Sequence, residues 1–559
     1  MIFKDIFYEP QIFQKLKKVL LFTTLMISSQ LIGQITISGT ISDPDGPLPG
    51  ASIVVQGSNI GVTSDFNGNF SIEANEGDVL ELSYVGFKTQ LIKVDSNQNN
   101  ISITLESDSQ LDEVVVTGYG AERRSQITGA VASISPAEMS KNTAATLDNA
   151  LQGKVAGVSV SANNSTPGGG VSVRIRGVGG IGNSEPLYVI DGMPITVSGN
   201  ENSSPLSSIN PEDIESISIL KDAASAAIYG SRAANGVVLI NTKTGKRNQK
   251  SEVSVSVKYG VQSAANSFNM MNAQKFADYR NLLETDAGRP AIFTNTASLG
   301  EGTDWFDAIT RSAEISDLQA SFTGGSETGS YFLSLGHFKQ EGIVESSSFE
   351  RISLRLNADK RISDKFKVGS NIVVSRTKQD VLWGNNRAIN SAIAQSVLFY
   401  PTIPVYDNEG NFSPTPANGF YKPKVNPMFQ LSIPAFPPIV NSFRANVYAE
   451  YKIMPDLVFK TSAFYTDSNT SRKEFGSMYN LGTAVSTEQS ILKQQTQSYN
   501  ALIENTLNYR LNIDNHSLGF LLGQSAQSIE RESLLVSGDY TEMGNNTIDE
   551  LANALNVVN

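Results

Sequence analysis

The feature that most constrains this chain is a series of segments after Ser251 in which apolar and polar residues alternate. Apolar residues occupy nearly every second position in 253–261, 352–358, 443–453 and 499–511. Because successive side chains of a β-strand point to opposite faces, each segment predicts a strand with one apolar and one polar face. The segments span about ten residues, the length of a tilted strand that crosses a bilayer.

The connections between these segments distinguish a soluble sandwich from a membrane barrel. Short turns near 362–365, 454–456 and 513–516 alternate with long links near 378–442 and 467–495. A soluble sandwich rarely alternates short turns with such long loops, whereas an outer-membrane barrel does so at its two ends. Residues 251–559 therefore predict an antiparallel transmembrane β-barrel sheet, with roughly nine strands between 252 and 529.

The N-terminus predicts export. Lys15, Lys17 and Lys18 precede an apolar run at 19–27, and small residues follow it. A basic region, a short apolar core and small residues are typical of a secretory signal peptide, here assigned to 1–33. The alternative is a buried helix. No stretch reaches the length of a membrane-spanning helix.

Residues 34–106 predict a small β-sandwich. Short alternating segments at 35–38, 68–72, 79–84 and 101–105 are separated by turn residues, and Asn67-Gly68 is a strong hairpin signal. Asp65, Asn67 and Asn69 have a calcium-loop spacing, but Gly68 is misplaced for one, so a turn is favoured. We expect no metal site in this chain.

Residues 107–120 form a polar linker and a valine-rich strand. Val114, Val115 and Val116 lie between the linker and two glycines, without an obvious hairpin partner. One interpretation is an ordinary edge strand. The other is a strand that is kept available for pairing with a second chain.

Residues 121–246 predict a mixed α/β domain. Helical signals at 135–138, 147–155 and 223–229 alternate with strand-like segments at 171–176, 187–191, 217–220 and 236–240. Arg174 and Arg176 share one strand face, which is either a solvated charged surface or a contact surface. Asp191-Gly192 indicates a turn.

Composition excludes several kinds of chemistry. The chain has no Cys and only two widely separated His, so thiol catalysis and His-based metal sites are not expected. The glycine motif at 177–182 is followed by a strand instead of a helix, which argues against a dinucleotide cofactor. The formal net charge of −12 argues against a nucleic-acid partner. We therefore expect no enzyme activity and no cofactor.

Five motifs resemble those of the SusC/RagA family of TonB-dependent outer-membrane transporters. They lie at 151–158 (LQGKVAGV), 173–177 (VRIRG), 186–192 (PLYVIDG), 209–217 (INPEDIESI) and 221–236 (KDAASAAIYGSRAANG). The resemblance implies that 34–106 is a carboxypeptidase-regulatory-like domain, 107–120 a linker with a TonB box, 121–246 a plug and 251–559 a partial barrel. It also implies that Arg174 and Arg176 contact acidic residues of the barrel wall. The residues that would form the TonB box are Leu111, Asp112, Glu113, Val114, Val115, Val116, Thr117, Gly118 and Tyr119.

The same resemblance implies a function and partners. The expected activity is energised import of a glycan or an oligopeptide across the outer membrane of a Gram-negative, Bacteroidota-like cell. TonB, energised by ExbB and ExbD, would pair with the TonB box in the periplasm, and a SusD-like lipoprotein would cover the outer side. Outer-membrane lipid would surround the barrel. The alternative is a secreted or surface adhesion module that binds through the N-terminal sandwich.

The C-terminal end differs from the family pattern. Family barrels have about 22 strands and end in an aromatic residue, whereas this chain ends in 553–559 (NALNVVN). We expect that the sequence as given does not close a barrel, because an open sheet edge in lipid leaves backbone groups unpaired.

Overall fold

A computed structural model describes residues 35–558 with several gaps. The gaps are 44–45, 59, 85–86, 88, 95–99, 106–113, 118–119, 124–130, 135–144, 163–165, 180–183, 196–205, 267, 381–391, 434–435, 514–515 and 541–555. The predicted signal peptide and the helical signal at 135–138 lie outside the described residues. The chain divides into an N-terminal unit and a larger second unit.

The N-terminal unit is a β-sandwich, as predicted. Its strands are β1 (Ile35–Asp43), β2 (Gly46–Pro47), β3 (Ser52–Val55), β4 (Gly61–Thr63), β5 (Asn69–Ala74), β6 (Val79–Ser83), β7 (Gln90–Lys93) and β8 (Asn100–Thr104). One sheet has the order β2-β1-β5 with β8 also on β1, and the other has the order β4-β3-β6-β7. Ile37 and Ile72 from the first sheet pack with Ile53 and Leu82 from the second, so period-two alternation forms the core.

The turn before β5 forms around Asp65. Its carboxylate accepts hydrogen bonds from the backbone N–H groups of Asn67 and Asn69, both at 2.8 Å. The bond from Asn69, followed by that from Asn67, lowers the pKa of the Asp65 carboxyl against the opposing effect of burial. Gly68 has a φ of 75°, a conformation that favours glycine. The predicted turn is thus present.

The valine-rich segment forms a two-stranded sheet. β9 (Val114–Thr117) is hydrogen-bonded to β10 (Gly120–Arg123). The sequence indicated no obvious hairpin partner for this strand, and that expectation is wrong. The partner strand is polar and short, so it shows no apolar alternation that would have predicted it.

The plug is a mixed α/β domain, as predicted. Its elements are β11 (Val131–Ile134), α1 (Leu147–Ala150), β12 (Val158–Ala162), β13 (Val171–Ile175), β14 (Leu187–Ile190), β15 (Met193–Ile195), β16 (Ile214–Leu220), α2 (Ala223–Ala226) and β17 (Val237–Thr242), with 3-10 turns at Pro211–Asp213 and Ala227–Ala233. The plug sheet has the order β11-β16-β17-β14-β15, and β12 pairs separately with β13. Ile217, Ile219 and Val238 lie in its buried core. Burial also raises the pKa of the Tyr188 hydroxyl well above its usual range.

The largest element is an antiparallel sheet, here called the barrel sheet. Its first seven strands are β18 (Glu252–Gln262), β19 (Ala313–Gly325), β20 (Gly329–Glu341), β21 (Ser348–Arg361), β22 (Phe366–Asp380), β23 (Ile439–Met454) and β24 (Leu457–Gly476). A small hairpin of β25 (Tyr479–Leu481) and β26 (Ala484–Ser486) follows. The sheet continues with β27 (Gln489–Ile513), β28 (His516–Tyr540) and the short β29 (Asn556–Val558). In the described residues the sheet is open, with β18 and β29 at its edges.

The turns at one end of the barrel sheet are short, as predicted, but the strands are longer than predicted. β21 and β22 are separated by four residues, and β23 and β24 by two. The expected loop at 467–495 is mostly paired strand, because β24 continues to Gly476 and β27 begins at Gln489. This stretch is polar, so its sequence does not alternate, yet backbone pairing continues there regardless of side-chain polarity.

The two faces of the barrel sheet have opposite polarity. On β21, Leu354 and Leu356 are exposed, whereas Ser353, Arg355 and Asn357 are at most 3 % exposed. The outward side chains of β18 behave in the same way: Val253, Val255, Val257 and Tyr259 are 66–69 % exposed. The polar face packs against the plug, so the arrangement of a soluble core is reversed, as in membrane barrels.

The long loops at the opposite end from the short turns fold together. The loop after β18 contains α3 (Ala273–Asp286), a 3-10 turn (Thr296–Leu299) and α4 (Trp305–Ile309); the loop after β22 contains α5 (Ala392–Leu398) and α6 (Pro427–Ser432). The Trp305 ring lies 4.7 Å from that of Phe399, and its indole N–H donates to the Tyr400 carbonyl at 3.0 Å. Across the described ranges, no helix has both the length and the apolar character needed to cross a bilayer.

The outward face of β18 predicts a test of lipid contact. In a complete barrel that contains this strand, we expect Val255→Arg to cost about 2–4 kcal/mol of folding free energy in lipid vesicles if the residue lies near the bilayer centre. The matched control, Ser254→Arg, introduces the same charge on the opposite face and should cost much less. Urea unfolding in vesicles measures both values. Equal costs would show that this strand is not embedded in lipid.

Candidate functional site

The candidate site is the contact between the plug and the polar face of the barrel sheet. Three plug segments make most of it: the β14–β15 turn, the segment before β16 and the end of β17. Each presents a polar side chain to β19, β20 or β21. Asn446 of β23 also donates to the Asp191 carbonyl at 3.3 Å. Both sides belong to the second unit of the chain.

Asp213 is the most enclosed carboxylate of this contact. Asn210 and Pro211 begin the 3-10 turn before it, and the Asn210 side chain accepts a hydrogen bond from the Glu212 N–H at 3.2 Å. Asp213 is only 1 % exposed. Three barrel-sheet side chains donate to its carboxylate: Ser334 at 2.7 Å, Gln319 at 3.0 Å and Arg355 at 3.2 Å.

Arg355 joins this carboxylate to a second one. Its Nε is paired with Asp213, and its Nη1 lies 3.5 Å from the Asp191 carboxylate and 3.1 Å from the Thr242 hydroxyl. Asp191 and Gly192 form the two-residue turn between β14 and β15, with φ values of 48° and 89°. Positive φ at both positions explains the Asp-Gly sequence. The predicted turn therefore also supplies a charged contact.

Arg351 binds a different part of the plug. Its guanidinium donates to the carbonyl oxygens of Ala145 at 2.7 Å and Ser207 at 3.3 Å. It also lies over the Phe338 ring, 5.3 Å from the ring centre. Arg351 is 2 % exposed. This arginine thus holds the backbone of the plug where α1 begins and where the segment before β16 starts.

Further polar contacts surround these two arginines. Asn357 donates to the Lys243 carbonyl at 2.7 Å and to the Thr242 hydroxyl at 2.9 Å. Lys258 pairs with Glu212, and Arg444 donates to the Ser208 hydroxyl. A cavity of about 30 Å³ borders Asp191, Arg355 and Arg444, which is room for a water molecule.

The ion pairs of this contact follow one pattern. The plug contributes carboxylates, at Asp191, Glu212 and Asp213, and the barrel sheet contributes cations, at Lys258 and Arg355. Removing one member of a buried ion pair leaves an uncompensated charge and costs about 3–5 kcal/mol. The contact is therefore stable while it is paired.

The arginines that the sequence suggested occupy other positions. Arg176 has a φ of 57° and pairs with Asp222 of the plug at 2.8 Å, and Arg174 is exposed on β13. Their expected contact with the barrel wall stays a prediction. The suggested TonB box includes β9, whereas Leu111, Asp112, Glu113, Gly118 and Tyr119 lie outside the described residues.

The sequence did not mark Asp213 or Arg355 as site residues, and it indicated Asp191 only as part of a turn. A usable signal was present: Arg351 and Arg355 fall on the polar face of an alternating segment. An ionisable side chain on the inner face of a membrane strand is costly unless it has a partner, and so it marks a contact. Which plug residue pairs with Arg355 can be identified only from the folded structure.

Comparisons with known proteins agree with this architecture. Residues 123–237 match the TonB-dependent Receptor Plug Domain, and residues 37–116 match the CarboxypepD_reg-like domain. A TonB-dependent receptor of Formosa agariphila is 37 % identical over 534 residues, which is 92 % of this chain and 52 % of that protein. The TonB-dependent receptor SusC of Bacteroides thetaiotaomicron is 36 % identical over 452 residues, 76 % of this chain and 43 % of that protein.

Solved structures give the same result. The RagAB peptide importer in its open-open state superposes with a TM-score of 0.65 at 27 % identity, covering 79 % of this chain and 52 % of that chain. The chain spans about half the length of the curated relatives that it matches. These relatives are receptors and transporters, not enzymes. Over about half the length of those proteins, this chain is thus similar in sequence and in fold to the SusC/RagA-like TonB-dependent receptors.

Proposed function

We propose that this chain supplies the plug and part of the barrel wall for TonB-dependent import of a nutrient across the outer membrane. The observation that carries the proposal is the reversed polarity of the barrel sheet. Its outward face is apolar, and its inward face holds the plug through buried ion pairs. A plug held by polar contacts inside an apolar-coated wall suits a gated passage through lipid.

The proposed mechanism is mechanical and involves no covalent chemistry. Substrate binds on the side of the long loops. TonB, energised by ExbB and ExbD, pairs with the segment around Val114–Val116 on the periplasmic side as an added strand. Pulling on this segment then breaks the contacts of Asp213 and Asp191 with Arg355. Because these contacts are polar, water replaces them at modest cost and they re-form when tension ends.

The proposed substrate and its covering partner rest on the relatives and on exposed aromatic side chains of the long loops. The structural relative RagAB is described as a peptide importer, which supports an oligopeptide substrate. Exposed aromatic side chains on the long loops, Phe268, Tyr279 and Tyr406, support a glycan, because flat rings stack against the apolar faces of sugars. We propose a glycan, covered by a SusD-like lipoprotein, with an oligopeptide as the alternative.

Uptake by native cells tests this function. Deletion of the gene should abolish uptake of one class of labelled oligomer, either glycans or peptides, and leave the other class unchanged. Removing the proton-motive force should also abolish uptake of that class. Unchanged uptake of both classes after deletion would contradict the proposed function.

The buried ion pair predicts how firmly the plug is held. Arg355→Met should weaken plug retention by about 3–5 kcal/mol, because it leaves Asp213 buried without its cation. The control, Arg176→Met, removes an exposed pair within the plug and should change retention by less than about 1 kcal/mol. The urea concentration at which a protease cuts the plug measures retention in vesicles.

A second variant separates charge from packing. Adding Asp213→Asn to Arg355→Met removes the unpaired charge, so the double variant should hold the plug more firmly than Arg355→Met alone. If Arg355→Met and Arg176→Met change plug retention by the same amount, the contact with Arg355 does not retain the plug.

The strand-pairing step predicts a backbone effect. Val115→Pro, introduced into the chromosomal gene, should abolish uptake because proline lacks the N–H donor and fixes φ. Val115→Ala keeps the backbone and should retain uptake, and substrate binding at the cell surface should survive in both variants. Normal uptake by the proline variant would show that this segment does not couple to TonB.

A further inference from the structure

Asp317 places a carboxylate on the barrel-sheet side of the plug contact, the side that supplies the cations of the ion pairs described above. It belongs to β19 and is 8 % exposed. Among the residues that the structure describes, Asp317 has no ion pair and its carboxylate accepts no hydrogen bond. A buried carboxylate without a contact partner lowers stability, so its presence on this face points to a function.

A lysine of the neighbouring strand lies directly opposite this carboxylate. Lys258 of β18 and Asp317 of β19 are paired residues in the antiparallel sheet. Paired residues point to the same face with their Cβ atoms about 5 Å apart, which is close enough for their side chains to form an ion pair. Lys258 is nevertheless paired with Glu212 of the plug. The plug thus binds a lysine that has a carboxylate of the sheet beside it.

Arg351 has a similar arrangement on the other side of Asp317. Phe338 of β20 is paired with both residues, so Asp317 and Arg351 lie two strands apart, which is about 10 Å. The hydrogen bonds that the structure describes for Arg351 all go to the plug. Asp317 therefore lies between two cations of the sheet that are both bound by the plug.

The docked plug also brings two carboxylates close to Asp317. Glu212 and Asp213 repel its negative charge, whereas Lys258 and Arg351 attract it, so opposite effects compete while the plug is docked. When the plug leaves, its carboxylates leave with it and both cations remain on the sheet. The surroundings of Asp317 then favour a negative charge, at the same moment as Lys258 loses its plug partner.

We propose that Asp317 is a charge acceptor for plug release, which pairs with Lys258 when Glu212 is pulled away. The exchange replaces one ion pair with another, so Lys258 is not left as an uncompensated charge on the inner face. Asp317 thereby favours the released plug over the docked one, and it is a positioning residue that acts through Lys258. The inference rests on the proposed function, in which the plug moves during import.

Asp317→Asn tests this exchange, because a loss of charge on the sheet should make the plug harder to release. The protein is purified from native outer membranes and placed in lipid vesicles, and the rate at which a protease cuts the plug is measured at a fixed urea concentration. Cutting should be about tenfold slower in Asp317→Asn, since the released state loses its pair with Lys258.

Two further variants control for the substitution itself. Asp359→Asn makes the same change on the same face of β21, but Asp359 is already paired with Arg247 at 2.9 Å, so cutting should not become slower. Asp317→Glu keeps the charge and should be cut at nearly the rate of the unmodified protein.

A second background separates charge exchange from a packing effect. Glu212→Gln removes the plug partner of Lys258, so Lys258 can pair with Asp317 in the docked state as well as in the released one. In this background Asp317→Asn removes the same pair from both states and should no longer slow the cutting. A purely structural role of Asp317 would instead give the same change in both backgrounds.

Uptake supplies the functional readout. Asp317→Asn in the chromosomal gene should lower the rate of uptake, while binding of the labelled oligomer at the cell surface stays unchanged. Unchanged or faster cutting of Asp317→Asn would overturn the proposal, and so would slowing that persists with Glu212→Gln. These failures are distinguishable from failure of the proposed function, because gene deletion tests import without Asp317 and the cutting assay tests the exchange without import.

Discussion

The ion pair between Arg355 and Asp213 connects the two halves of the second unit. Both side chains are nearly fully buried, and Arg355 also reaches Asp191 and Thr242. A pair in such an environment is costly to break from one side only. It fixes which face of β21 is turned toward the plug, and strand alternation then turns Leu354 and Leu356 outward.

Parts of this architecture could be predicted from the sequence because period-two alternation is a local signal. The alternation in 253–261 and 352–358 identified the strands and their outward residues, and Asp191-Gly192 identified its turn. The length of β24 and β27 could not be predicted, because their outer parts are polar on both faces. The partner of Arg355 could not be predicted either, since Asp213 lies far away in sequence and is brought close only by the fold.

The plug contact and the β9–β10 hairpin are held by different kinds of interaction. The plug contact relies on buried side-chain charges, so single substitutions there have large effects. The β9–β10 hairpin relies on backbone hydrogen bonds, so side-chain changes should matter little and proline should matter greatly.

Cysteine labelling along β21 tests the central claim, the reversed polarity of the barrel sheet, most directly. In lipid vesicles, Leu354→Cys should react with a lipid-dissolved maleimide and resist a water-soluble one. Ser353→Cys, one residue earlier, should resist both reagents while the plug is docked. We expect maleimide reactivity to alternate in this way from one residue of β21 to the next. Rapid labelling of Leu354→Cys by the water-soluble reagent would contradict it.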